Sequence, residues 1–183
     1  VTISVWELVA RKAGLPMPEF PVVGLGGETI GFWDWVKTTN CQVILTEGEK
    51  KAASLISRGY VAIGLVGIRT GYRVTEKGEW ITKQDGTQYQ KAIARELHES
   101  LKDFNTPGRA VTFLFDYRPG DYFKSPEFQA ACTTAKLFDK AIAKIAILPG
   151  PDKGVDDFVV AGGDIDCVLS SAESLKQTQN ERL

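Results

Sequence analysis

Long apolar runs are missing from this chain. The longest candidate, residues 61–68, is strand-sized and interrupted by Gly64 and Gly67. A bilayer span needs ~20 apolar residues, so no membrane partner is expected. No basic start followed by an apolar stretch is present, and a cytoplasmic chain is the expectation. The chain also lacks an initiator Met, which suggests a processed chain or a piece of a longer one.

Cysteine is scarce and odd in number: Cys41, Cys132 and Cys167. That spacing fits neither a disulfide set nor a zinc site, so the thiols read as buried and reduced. His98 is the only histidine. Any Ser-His-Asp triad or imidazole metal site would depend on it, and its polar surroundings mark it as a surface residue. Net charge is nearly absent: 22 Lys and Arg oppose 23 Asp and Glu. A strongly basic nucleic-acid coat is thereby excluded, while a local basic face is not. No Walker A motif occurs, so this chain alone is not an ATP-driven helicase. Gly24-Leu25-Gly26-Gly27 lacks the strand–turn–helix setting of a dinucleotide fingerprint.

What remains is ordinary globular material. The 183 residues are 43% hydrophobic and 25% charged, enough for one domain with a core that needs no disulfide or metal. Residues 1–40 read as a helical, proline-rich lead-in, with helices over 4–13 and 30–38 and Trp33 and Trp35 as packing residues. Residues 41–172 then alternate. Buried strands are expected at 42–46, 60–66, 110–115 and 143–148. Helices are expected at 48–58, 89–101, 126–139, 155–161 and 165–171. Residues 67–87 read as a long loop or hairpin, and 173–183 as a polar, fraying tail. The pattern predicts an α/β fold, Rossmann-like, with about four parallel strands flanked by helices.

In such sheets the working residues lie beyond the carboxyl ends of strands. The first strand ends in Thr46-Glu47-Gly48-Glu49-Lys50-Lys51, the third in Asp116-Tyr117-Arg118. The fourth leads into Lys153-Gly154-Val155-Asp156-Asp157. If the first and third strands are neighbours, Glu47 and Asp116 share a crevice. Carboxylates at strand ends suit a hard cation such as Mg²⁺ or Mn²⁺. Gly48 allows a tight turn against a phosphate, and Lys50 and Lys51 follow in the first helical turn. Spacing alone leaves a second reading open, in which the glutamates cap a helix and the lysines are solvated.

These pieces together resemble a known family. FWDWV before the first strand, EGEKKAASLISRGYVAIGL, GYR at 71–73, TPGRAVTFLFD and KGVDDFVVAGG are similar to the Toprim (topoisomerase–primase) fold. The likeness is closest to Toprim-like domains of unknown function in plasmid and phage replication proteins, cyanobacterial plasmid proteins included. It runs from about Phe32 to Gly163. The resemblance implies that Glu47 is the acid/base and Asp116 a metal ligand. It implies that Asp156 and Asp157 support the metal, with Lys153 the basic residue before them. It also implies DNA or RNA as partner, and helicase or polymerase domains of a larger replication protein. One position departs from the family pattern. The second aspartate of Asp-x-Asp falls at Arg118, whose charge repels Mg²⁺ but whose planar fork suits phosphate or a carboxylate. Asp121 is near enough in sequence to serve as a substitute ligand.

Two loops interleave cations with aromatics, a pattern that holds single-stranded nucleic acid. One carries Arg69, Arg73 and Lys77 with Tyr72, Trp80 and Tyr89, extended by Lys83, Lys91 and Arg95. The other carries Tyr117, Arg118, Tyr122, Phe123 and Lys124. Three functions stay open at this point: Mg²⁺-dependent phosphoryl transfer in replication, a non-catalytic nucleic-acid or protein docking module, and a nucleotide-binding regulatory domain.

Overall fold

The computed structural model describes residues 2–175. Helix α1 (Ile3–Lys12) and helix α2 (Phe32–Thr39) precede β1 (Val43–Glu47), α3 (Glu49–Ile56) and β2 (Ala62–Leu65). A hairpin of β3 (Tyr72–Thr82) and β4 (Gln88–Leu97) follows, then α4 (Glu99–Lys102) and β5 (Ala110–Leu114). After a 3₁₀ turn at Tyr122–Lys124 come α5 (Pro126–Ala135), β6 (Ile142–Ala146), α6 (Val155–Val160), α7 (Ile165–Ser170) and β7 (Glu173–Ser174).

The main sheet has the order β2-β1-β5-β6-β7. The first four strands are parallel, and β7 closes the edge antiparallel to β6. Strand side chains alternate between two cores, as the pleat requires. Val43, Leu45, Val111, Phe113 and Ile145 face α1, α2, α4 and α5. Ile44, Leu114 and Ala146 face α3, α6 and α7. The lead-in shares the first core: Trp6 of α1 stacks on Trp35 of α2 with ring centroids 5.5 Å apart.

Four sequence expectations change. Residues 89–101 form no single helix; most of them are β4, paired antiparallel with β3. The cause is local. Asp85-Gly86 makes the turn, with Gly86 at φ 82° and Lys83 N–H bonded to the Thr87 carbonyl at 2.9 Å. That dipeptide is a hairpin signal stronger than the helix propensity of the following residues. The helix from Pro126 ends at Ala135, short of Asp139. Glu173 and Ser174 are not frayed but paired with Ile145 and Lys144; residues 176–183 lie outside the described residues. The cysteines are all free as expected, yet only Cys41 is buried, and Cys167 is exposed.

Arg109 holds the bottom of the sheet to α2. Its guanidinium is fully buried. It donates to the carbonyls of Val36, Lys37 and Cys41 at 2.8–3.3 Å and lies 5.6 Å from the Phe104 ring centroid. Val36 and Lys37 carry carbonyls of the last turn of α2, which have no intrahelical partner. Burial pushes the guanidinium pKa down, but its ordinary value is high enough to keep it charged.

Candidate functional site

The sheet order places β1 beside β5. The chain leaves β1 in one direction to β2, then crosses back to β5 on the other side. That reversal opens a crevice at the carboxyl ends of β1 and β5. Glu47 ends β1, and Asp116 follows β5 by two residues. The register pairs Leu45 with Phe113, so the two strand ends emerge side by side. Glu47 and Asp116 therefore leave neighbouring strands at the same edge of the sheet.

Gly48 makes the turn into α3 at φ 86°, a conformation that a side chain would strain. A hollow of about 290 Å³ lies over this turn, lined by Glu47, Gly48, Glu49, Lys50, Lys51 and Asp156. The late KGVDD loop joins it through Tyr117, whose N–H donates to the Lys153 carbonyl at 2.8 Å. A Cβ at position 154 would sit 2.6 Å from Lys51 Cε. Glycine there lets the lysine lie across the loop toward Asp116.

Lys51 Nζ stands 3.0 Å from Asp116 Oδ1, and both side chains are largely buried. The approach does not meet hydrogen-bond geometry, so Asp116 Oδ1 is charge-paired but unbonded. Asp156 Oδ1 and Thr46 Oγ1 are also buried without a hydrogen-bond partner. The hollow and Asp116 together carry four carboxylates (Glu47, Glu49, Asp116, Asp156) against two ammoniums (Lys50, Lys51). Excess negative charge with unbonded buried oxygens favours a cation.

The other candidates are placed less centrally. Asp157 is exposed, and so is the Lys153 side chain. Asp121 caps the 3₁₀ turn and pairs with Lys124 at 3.2 Å, so its carboxylate is engaged locally. Arg69 is exposed. Arg73 is tied to Glu96 at 2.6 Å and Glu99 at 3.2 Å across the base of the hairpin. Among the described residues no three His, Cys, Asp or Glu side chains converge to cage a metal.

Arg118 has a partner that the sequence reading does not contain. Its Nε donates to Glu127 Oε1 at 2.7 Å. Glu127 lies in the first turn of α5 and is 2% exposed, and its Oε2 has no partner among the described residues. The hydrogen bond to Glu127 and that carboxylate's charge raise the Arg118 pKa, and Asp116 and Glu47 add to it. Nearby, the Tyr122 hydroxyl is buried and unbonded among the described residues. Burial first, then the charges of Glu127 and Asp116, push its pKa up, so it stays protonated. Acidity near the start of a helix is the one sequence signal for Glu127, and it equally marks an ordinary helix start.

A larger hollow, about 420 Å³, lies at the opposite end of the sheet, lined by Lys12, Tyr60, Lys144 and Asp166 among others. There the Asp166 carboxylate accepts from both Lys12 and the Tyr60 hydroxyl. It is remote from every strand-end motif.

Residues 32–165 match the family model described as a domain of unknown function (DUF3854). An uncharacterized protein of Picosynechococcus sp. (strain PCC 7002) is 33% identical over 161 residues, which are 86% of this chain. The same stretch is 14% of that protein, so the chain spans about a seventh of its relative's length. No solved structure matches the chain. No helix among the described residues is long and apolar enough to cross a membrane. The match of the family model across the strand-end crevice and both its flanks places this chain in the DUF3854 family.

Proposed function

We propose that this domain is a Toprim-like module of a plasmid or phage replication protein. It binds nucleic acid at the strand-end crevice together with Mg²⁺ or Mn²⁺. The observation that carries this reading is the pair of buried, unbonded carboxylate oxygens on Asp116 and Asp156, within a wall of excess negative charge. Mg²⁺ commonly needs only one or two carboxylates, because it keeps waters and takes phosphate oxygens as further ligands. The residues present fit an ion that arrives with its phosphate, and they do not fit a resident metal cage. Asp116 and Asp156 would hold that ion, which neutralises the carboxylates and polarises a phosphate. Lys51, 3.0 Å from Asp116 Oδ1, occupies the place beside that carboxylate that such an ion would take. Glu47, half-buried at the end of β1, is the acid/base if phosphoryl transfer follows.

The hairpin supports nucleic acid as the partner. It forms a sheet of its own. Along β4 the positions Tyr89, Lys91, Ile93 and Arg95 are exposed, while Gln90, Ala92, Ala94 and Glu96 are half-buried. Lys83 lies 5.6 Å from the Tyr89 ring centroid. On β4 this outer face carries Lys91 and Arg95 and no carboxylate, with Lys83 beside it at the turn; the paired strand β3 exposes Glu76 and Glu79. Lys91 and Arg95 stand four residues apart on this face, roughly 14 Å along the strand, with Ile93 between them.

A second reading, the non-catalytic docking module, is favoured by Arg118 and by the ammonium on Asp116. One titration separates the two. A labelled single-stranded oligonucleotide is titrated with the chain in Mn²⁺ and in chelator, over a salt series. The proposal expects Mn²⁺ to tighten binding by about tenfold or more, and a Lys83/Lys91/Arg95→Ala variant to lower the salt slope by about 2. Equal binding in chelator favours the docking module. Absence of binding under both conditions rejects nucleic acid as the partner.

A further inference from the structure

Arg118 stands where the resemblance to Toprim domains implies a second aspartate, yet its guanidinium is only partly used. Nε is bonded to Glu127, and Nη1 and Nη2 have no acceptor among the described residues. The Arg118 side chain is half exposed, and its carboxylate partner is almost completely buried. This division is informative. An ordinary surface ion pair exposes both groups and is worth little. Here a carboxylate has been desolvated for a single bond, which leaves Oε2 unbonded. The first turn of α5 offsets part of that cost, since the helix start favours a negative charge. Ser125 caps this turn and Pro126 opens it, so the position of Glu127 is fixed by the backbone.

An arginine held through Nε keeps its terminal fork free. That fork matches two oxygens of a phosphate, a geometry that an ammonium cannot reproduce. Arg118 follows Asp116 by two residues beyond the carboxyl end of β5, at the edge of the sheet where the crevice opens, and the charges of Asp116 and Glu47 act on its guanidinium. Excess carboxylate there rejects a lone anion, and it accepts an oxyanion that comes with a divalent cation.

We propose that Glu127 is a positioning residue that holds Arg118 as a ready-made fork for a phosphate of the nucleic-acid backbone at the crevice. This inference rests on the metal-and-phosphate reading above. It assigns to Arg118 the role of gripping the oxyanion that bridges to the ion. It also explains how an arginine at that position serves the same site that an aspartate would.

The test uses the full chain, a labelled single-stranded oligonucleotide and Mn²⁺. Arg118→Lys keeps the charge and loses the fork, and it is expected to weaken oligonucleotide binding by about tenfold or more. That loss exceeds any change in Mn²⁺ affinity measured without oligonucleotide. Glu127→Ala frees the guanidinium and is expected to weaken binding comparably. Glu127→Gln retains an acceptor for Nε and is expected to restore most of the affinity. A purely structural role for Glu127 would instead lower the melting temperature in both variants without this rescue. Should Glu127→Ala fail to fold, Arg118→Lys and Glu127→Gln decide. Wild-type binding by Arg118→Lys, with binding lost in Asp116→Asn, overturns this inference and leaves the crevice reading standing. Wild-type binding of both Mn²⁺ and oligonucleotide by Asp116→Asn as well overturns both.

Discussion

Arg109→Ala is expected to destabilise the fold by roughly 3–5 kcal/mol, read as a fall in the denaturant midpoint. The residue is fully buried and serves three carbonyls, two of them in the last turn of α2. Its removal leaves those acceptors without water or partner. It also empties a space beside Phe104 and loosens the neighbouring Asn40–Thr106 bond, because Thr106 accepts from Arg109 Nε. A domain is typically stable by only about 5–15 kcal/mol, so this change consumes a large share. Arg109→Lys is expected to recover less than half of the loss, since one ammonium cannot span the same carbonyls. A midpoint for Arg109→Ala equivalent to within 1 kcal/mol of wild type would show that α2 is held by its apolar face alone.

Lys51→Met has the second largest expected effect, and its sign depends on the solution. In chelator the variant leaves Asp116 buried and uncompensated, at a cost of roughly 2–4 kcal/mol. With Mn²⁺ present, the ion meets no competing ammonium. Its affinity is expected to rise by about tenfold, and the thermal stabilisation by Mn²⁺ should exceed that of wild type. Melting curves in chelator and in saturating Mn²⁺ give both numbers. Equal curves in the two solutions for this variant would mean that no cation enters beside Asp116.

Much of the site was legible because backbone rules place it. QVILT and AVTFLF are short apolar runs rich in β-branched and aromatic residues, the pattern of strands buried on both faces. Glu47 and Asp116 follow directly from where those runs stop. Gly48 and Gly154 stand out because the turn at one and the close approach at the other exclude a side chain. Residues 89–101 read as helix because their composition favours it, while a three-residue loop outside that segment, Gln84-Asp85-Gly86, folds most of them back onto β3. Glu127 and Arg109 were not legible as partners. Each acts through contacts made only after folding, Glu127 on a residue nine positions earlier and Arg109 on carbonyls about seventy positions earlier. Nothing in PGRA or SPEF distinguishes them from an ordinary turn and an ordinary helix start.

The most direct test of the crevice is calorimetric titration of the chain with Mn²⁺ in the presence of a single-stranded oligonucleotide, with Asp116→Asn alongside. The account predicts saturable Mn²⁺ binding that the oligonucleotide strengthens and Asp116→Asn abolishes. Identical titrations for wild type and Asp116→Asn would contradict it.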